Sequence, residues 1–412
     1  MWDAIRNNKR KSFWLIVVLA CTLAGIGAAI GAFFFSQEPQ EGIFFGVFIA
    51  MILWIIMLLI SIAGGERILL ATAGAREVSR DDVPQLYNIV EEMKIASGLP
   101  AIPRVFIIES NVPNAFAVGL KPQRSAVAVT SGLIARLNRD ELQGVIAHEI
   151  GHISNRDTLF MTLAGVTVGS VIILADLFLR GMWYSSAGGR RSSRSGGGQA
   201  QLVILLISII LAILAPLLAQ ILYFATSRRR EYLADASAAQ FTRYPEGLAS
   251  ALEKISSAQS KNFSKSRTLA PMYIVNPMAA TSSSVGLFST HPATEDRIRI
   301  LRGMSGSSSL FTYEQAYRKL HNNQNIINPG TLEEAKEQSI RQPGDSTHDQ
   351  RKNMRDIKDV LHRLEGYALL TCGCGLKMKI PKGIEKPTIN CPRCNAIHKI
   401  PTELVAMATM IK

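Results

Sequence analysis

His148, Glu149 and His152 stand in the order His-Glu-x-x-His, within the run from Ala147 to His152. On a helix, positions i and i+4 project from one face, so both imidazoles can hold one Zn2+. The glutamate after the first histidine then lies beside the remaining coordination position. There it can take a proton from metal-held water and later pass it to a leaving amine. The metal would lower the pKa of that water to about 7 and polarise a carbonyl. The chemistry so described is hydrolysis of a peptide bond. The bland rival is a charged helix surface without metal, and an apolar helix leading into a membrane has little reason to collect these side chains.

A zinc hydrolase needs a third protein ligand and an open fourth position. The candidate is Glu231, in the run Ser-Arg-Arg-Arg-Glu-Tyr-Leu-Ala-Asp that ends at Asp235. Placement carries this choice. Apolar stretches at residues 159–179 and 202–226 separate His152 from Glu231. Two crossings of a bilayer would return the chain to the leaflet it left, at the depth of the histidines. Asp235, one helical turn on, could accept the Nδ1–H of a ligating histidine and fix its tautomer. Spacing alone fits an ordinary i,i+4 surface pair beside arginines equally well.

The elements that would hold these residues follow from hydropathy. With residues 13–35 and 43–63, the chain has four stretches long enough to span a bilayer, which takes about 20 apolar residues. The first reads as an uncleaved anchor. Arg6, Lys9, Arg10 and Lys11 precede it, the next loop carries only Glu38 and Glu41, and Arg67, Arg76 and Arg80 follow the second span. The positive-inside rule therefore predicts a cytosolic N-terminus and a cytosolic segment before the third span. The loop at 181–201 carries Arg190, Arg191 and Arg194, which fits less well. A hairpin of the third and fourth stretches that does not fully cross is the alternative.

Between the second and third spans, residues 104–109, 115–119 and 125–130 read as short strands rich in Val, Ile and Phe. Asn138 with Glu141 forms a capping-box pattern. The helix it opens is expected to run unbroken through His148 into the third span. Further helices are expected near residues 231–242, 246–259 and 294–302. The polar stretch 256–284 could form a lid, and 341–353, with Pro343 and Gly344, reads as a linker.

Four of the five cysteines cluster near the C-terminus as Cys372-Gly-Cys374 and Cys391-Pro-Arg-Cys394. Two such knuckles predict a four-cysteine structural zinc ribbon, with strands near 376–380 and 396–400. Free thiols or disulfides are the rival, and His398 is an alternative ligand. The net charge of +13 fits basic flanks of membrane spans meeting anionic lipid, so nucleic acid is not an expected partner.

Taken together, the HEIGH core, the SRRREYLAD run, Asn114-Ala-Phe-Ala117 and Ser289-Thr-His-Pro292 resemble the HtpX-type membrane metallopeptidases, relatives of the CAAX prenyl proteases. The likeness covers roughly residues 1–305. It implies a gluzincin-like fold with His148, His152 and Glu231 on zinc, Glu149 as general base and Asp235 behind the ligands. It also implies that Asn114, Ala115, Phe116 and Ala117 begin an edge strand that pairs with extended substrate. His291 would stabilise the tetrahedral intermediate, with Arg297 sharing that role. Each transfer has a plainer rival: Asn114 starts a strand, Phe116 is core, His291 caps a helix.

The expected architecture is an integral membrane protein with four transmembrane helices, an α+β gluzincin-like cytosolic protease domain and a small C-terminal zinc ribbon. The expected divisions are a membrane hairpin (1–64), a peptidase domain (65–305), a helical and polar linker (306–366) and the ribbon (367–412). The expected function is a zinc endopeptidase with one catalytic and one structural Zn2+. The resemblance implies that it cuts misfolded or damaged membrane proteins in a bacterial inner membrane, and the basic flanks place the site at the cytosolic face. Two rivals are an intramembrane site-2-type protease and a catalytically inactive membrane scaffold that recruits partners through its ribbon. The first needs a distal aspartate ligand, and Asp176, the one aspartate in a span, lies 24 residues beyond His152.

Overall fold

The computed structural model describes residues 2–35, 38–159, 161, 169–178, 180, 209, 228–258, 292–304, 306–327, 329, 332, 338–344, 350–381 and 388–400. Among the described residues, two helices are long and apolar enough to cross a membrane: α1 (Trp2–Phe34), over its portion Ile16–Phe34, and α2 (Pro39–Thr72). They pack backbone to backbone. Gly27 and Gly31 of α1 meet Gly46 and Gly42 of α2, so closely that a Cβ on any of the four would overlap the facing glycine's carbonyl. Paired small-xxx-small spacings permit this approach between apolar helices.

The described part of the third apolar stretch is helix α6 (Gly169–Phe178). Its Val171 and Leu174 share a buried cluster with Leu23, Ile26 and Ala50. Its Phe178 meets Phe33 edge-on, with ring centroids 5.6 Å apart. The loop at 181–201, and the fourth stretch except residue 209, lie outside the described residues, so the expectation of four spans is supported for the first two stretches alone.

With 34 residues, α2 is about 51 Å long against a hydrocarbon layer of about 30 Å. It is longer than one crossing requires, and its C-terminal end meets a four-stranded sheet. The strands are β1 (Ala75–Glu77), β2 (Arg104–Ile108), β3 (Ala115–Lys121) and β4 (Arg124–Thr130), in the order β1-β2-β4-β3. Only the β2–β4 pairing is parallel. Alternation along the strands gives the sheet two apolar faces. Phe106, Ile108, Phe116 and Val118 pack on Leu70 of α2. Val105, Ile107, Ala117 and Val129 point the other way, into the main core with α3 (Pro84–Ser97) and α5 (Arg139–Ser154). Glu66 and Arg104 form an ion pair that fastens α2 to the sheet.

Helix α5 opens on the expected capping box: Asn138 accepts from the Glu141 N–H, and Glu141 accepts from the Asn138 N–H. The expected unbroken passage into the third span does not occur. The helix ends at Ser154, Arg156 takes φ 63°, and helix resumes at Asp157. Asn155 is held at the break by donating to the Ser237 hydroxyl at 3.2 Å. Short helix α4 (Ser131–Arg136) precedes α5. Beyond the third and fourth stretches come α7 (residues 228–242), α8 (Pro245–Ala258) and α9 (Thr294–Arg302). Most of the segment read as a lid lies outside the described residues.

The described residues between 306 and 344 pack against the peptidase region. Helix α10 (Leu310–Leu320) buries Leu310 and Tyr313 in the main core, and Glu314 accepts from the Ile326 and Ile327 N–H groups. The first residues of the expected linker, 341–344, lie against α5 and α7. Helix α11 (Gln350–Leu364) adds Ile357, Val360 and Leu361 to the same core, and Arg76 donates to the Leu361 carbonyl. The C-terminal module has two hairpins rather than two strands: β5 (Ala368–Thr371) with β6 (Lys377–Ile380), and β7 (Thr388–Asn390) with β8 (Ile397–Lys399).

Replacing Gly31 by Leu should destabilise the α1–α2 pairing by about 1–3 kcal/mol, the usual cost of overpacking. Disulfide cross-linking between Leu23→Cys and Ala50→Cys should fall several-fold, whereas Gly25→Leu, where nothing lies within 4 Å, should leave it unchanged. Equal cross-linking in both variants would contradict the glycine contact.

Candidate metal centre

Helix α5 presents His148 and His152 on one face, with ring centroids 4.7 Å apart. Close packing brings α7 against it. A Cβ on Gly151 would stand 3.2 Å from the Ala234 carbonyl, so the glycine lets the two helices approach at this point. Glu231, near the start of α7, then meets the histidines. The Nε2 atoms of His148 and His152 are 3.2 Å apart, and Glu231 oxygens lie 3.6 Å from the first and 3.4 Å from the second.

These separations test the fit to zinc. Ligand atoms about 2.0–2.1 Å from a tetrahedral ion are about 3.4 Å from one another. The three donors have that spacing, and all are buried or nearly so. Two histidines and one carboxylate with a fourth direction open are the donor set of a hydrolytic zinc site.

The other ring nitrogens settle which tautomer faces the ion. His148 Nδ1 lies 2.8 Å from Asp235 Oδ1, and His152 Nδ1 lies 3.1 Å from Asp157 Oδ2. Each Nδ1–H is thus directed to a carboxylate, leaving the Nε2 lone pairs for metal. Burial opposes charge on His148, yet its bonds to Asp235 and Glu231 outweigh burial and raise its pKa. Burial likewise opposes charge on His152, while Asp157 and Glu231 raise its pKa well above the usual value. The pocket attracts positive charge, whether protons or a metal ion.

Glu149 is 2% exposed, and burial pushes its carboxyl up against the downward pull of the histidines. Arg297, expected beside the oxyanion, is wholly buried behind the ligands. Its Nε and Nη2 donate to the two oxygens of Asp235 at 2.8 and 2.7 Å, and its Nη1 lies 3.5 Å from Glu231. A guanidinium so engaged orients Asp235.

Asn114 is buried at the start of β3, its N–H donating to the Thr130 hydroxyl at 2.9 Å. Ala115 and Ala117 face the core with α5, while Phe116 packs toward Leu70 and is 1% exposed. Phe116 is core, and β3 offers its backbone edge. His291 lies outside the described residues.

Sequence reasoning missed Asp157. Five positions after His152, a continuous helix would carry it about 140° around the axis, away from the ring. The break at Arg156 turns it back, and Arg230 Nε stands 3.6 Å from its other oxygen.

A second donor cluster lies in the C-terminal module, where all four Sγ atoms of Cys372, Cys374, Cys391 and Cys394 lie within 4.8 Å of one another. None is disulfide-bonded. Gly375 and Asn395, each directly after the second cysteine of its knuckle, take φ 82° and 61°. Each knuckle is closed by backbone bonds, from Gly375 N–H to the Cys372 carbonyl and from Asn395 N–H to the Cys391 carbonyl. His398 is not part of the cluster.

Asp157→Ala should weaken zinc binding at the histidines by about 10–100-fold, the usual cost of losing a carboxylate behind a ligand. Competition with a chromophoric chelator measures this, and an unchanged affinity would show Asp157 to be a bystander.

The model of peptidase family M48 matches residues 81–305. The "Protease HtpX homolog" of Dictyoglomus turgidum is 44% identical over 307 residues, covering 74% of this chain and 94% of that one. A protein of the same name from Streptococcus agalactiae is 40% identical over 304 residues, covering 74% and 100%. Among solved structures, S. mikatae Ste24p is similar with a TM-score of 0.36 and 20% identity, over 73% of this chain and 67% of that one. With its converging His/His/Glu donors, the family match over residues 81–305 and the 44% identical relative, the chain is a metalloprotease and belongs to peptidase family M48.

Proposed function

We propose that this chain is a zinc-dependent endopeptidase that cuts extended segments of misfolded or damaged membrane proteins at the cytosolic face of a bacterial inner membrane. The observation that carries the reading is the triangle of His148, His152 and Glu231 at zinc-ligand spacing. When bound there, zinc would supply Lewis acidity, lowering the pKa of water and polarising the scissile carbonyl. Glu149 takes the proton of the attacking water on its carboxylate and delivers it to the leaving nitrogen, and burial favours that exchange by lifting its pKa. Asp235 and Asp157 hold the two imidazoles in the tautomer that leaves Nε2 free. Strand β3 is the sheet's edge, and its outer backbone side can pair with an extended substrate. His291 and Pro292 belong to the segment that would complete the site around the tetrahedral intermediate.

Membrane substrates fit the placement of α2. Its apolar run ends near Ala63, and Leu70, seven residues on, is buried under Phe116 and Val118 of β3. Seven helical residues span about 10 Å. The substrate edge would thus sit close above the lipid, within reach of segments leaving the bilayer. The four-cysteine cluster would hold a second, structural zinc.

Detergent-purified protein should cleave an unfolded polypeptide, lose this on chelation, and regain it with zinc. Glu149→Gln should lower the rate at least 100-fold while zinc stays bound. Cleavage by both forms would discard Glu149 as base, and zinc-loaded protein inactive in both forms would favour the scaffold reading. Cys372→Ser should reduce bound zinc from two equivalents to one without abolishing cleavage.

A further inference from the structure

Beyond the family-matched region, one side chain touches both helices that carry the metal donors. The histidines sit in the second half of α5, and Glu231 sits near the start of α7. The start of α5, at Asp140, and the end of α7, at Thr242, meet through one residue; these positions lie eight before His148 and eleven after Glu231. Arg341 occupies that junction. Its Nη2 donates to Asp140 Oδ1 and Gln143 Oε1 of α5, each at 2.7 Å. Its Nε donates to the carbonyl of Thr242, the last residue of α7, at 3.1 Å. Its backbone N–H donates to the Arg243 carbonyl at 2.9 Å, and its guanidinium carbon lies 4.9 Å from the centre of the Tyr244 ring.

Neighbouring residues keep the arginine in place. The Gly344 N–H donates to the second Asp140 oxygen at 2.8 Å. Arg243 Nε reaches back to the Ser339 carbonyl at 3.1 Å, and the Ser308 N–H donates to the Gln338 carbonyl at 2.9 Å. The side chain is only 28% exposed and its partner Asp140 only 6%. A planar fork can hold a carboxylate, an amide and a carbonyl at once; an ammonium cannot match that geometry.

We infer that Arg341 is a positioning residue for the metal centre, fixing the angle between α5 and α7 from the end opposite the donors. The inference rests on the zinc reading of His148, His152 and Glu231. Asp140 lies eight residues before His148, about 12 Å along the helix, so a small rotation at Arg341 becomes a displacement of the donors. Metal sites tolerate ligand displacements of only about 0.2 Å. Gly151 and the Asn155–Ser237 bond are the pivot near the metal, and Arg341 is the far tie.

The test follows zinc release from the full-length protein into a chromophoric chelator, taking as the relevant phase the one that His148→Ala abolishes. Arg341→Ala should speed that phase about tenfold, and Arg341→Lys should fail to restore it. Asp140→Ala should act in the same direction, and the double variant should be no worse than the more severe single one. Lys377→Ala serves as comparison, because Lys377 pairs with Asp356 and Asp359 of α11, on the side of the C-terminal module. It should leave release unchanged. Release within twofold of wild type in Arg341→Ala, or additive effects of Arg341→Ala and Asp140→Ala, would overturn the inference. If Arg341→Ala does not fold, Arg341→Lys and Asp140→Ala carry the same comparison. Wild-type protein with no His148-dependent phase would instead sink the zinc reading on which this rests.

Discussion

Two imidazoles face each other through their Nε2 atoms at 3.2 Å in a nearly dry pocket. Lone pairs so placed repel unless something positive lies between them. Charge in the surrounding core points the same way. Among the described residues there, Glu149, Asp157, Glu231 and Asp235 are buried together with two arginines, Arg230 and Arg297. Ionised, four carboxylates against two guanidinium groups leave an excess of two negative charges, which a protein interior does not tolerate cheaply. One divalent cation restores balance. The need for that cation connects the ligands, the carboxylates behind them and the arginine behind Asp235 into one construction.

Much of the remaining architecture holds this cluster in register. Helix α5 is buried over most of its length, so its position is set by packing against the sheet on one side and α8 on another. Gly144 and Gly151 are points of close approach, to α8 and α7 respectively. Helix α2 adds a second constraint from outside the core. It carries the apolar run and, two turns later, a residue buried beneath the sheet, so one helix joins the apolar segment to the sheet beside the site.

The region after residue 305 shares in the same core. Tyr313 is buried in the cluster that contains α5 and α7, and α11 packs against α4, the helix just before the metal-binding one. The four-cysteine module follows α11 after a short turn, so its cluster is connected to the protease body through packed helices. A polar composition between residues 341 and 353 suggested a linker, because composition counts charges but not their partners. Arg341 is charged and still bound on three sides.

From the sequence alone came the residues that chemistry requires. The i,i+4 histidines, the intervening glutamate and the two cysteine knuckles are local patterns, and helix and turn geometry translate local spacing directly into convergence. Capping at Asn138 and the three strands were legible for the same reason. The third donor was nominated by its place just after the fourth apolar stretch and by the family resemblance, not by spacing. Contact between Glu231 and histidines some 80 positions earlier depends on how α5 and α7 pack, which no short-range pattern encodes. The break at Arg156, and with it Asp157, was hidden because a strong helical signal continued on both sides of a single left-handed residue. Tertiary structure also decided that Arg297 faces Asp235 and that Phe116 faces α2. Those orientations are set by what lies across a packed interface, and the chain's own periodicity does not specify its neighbours.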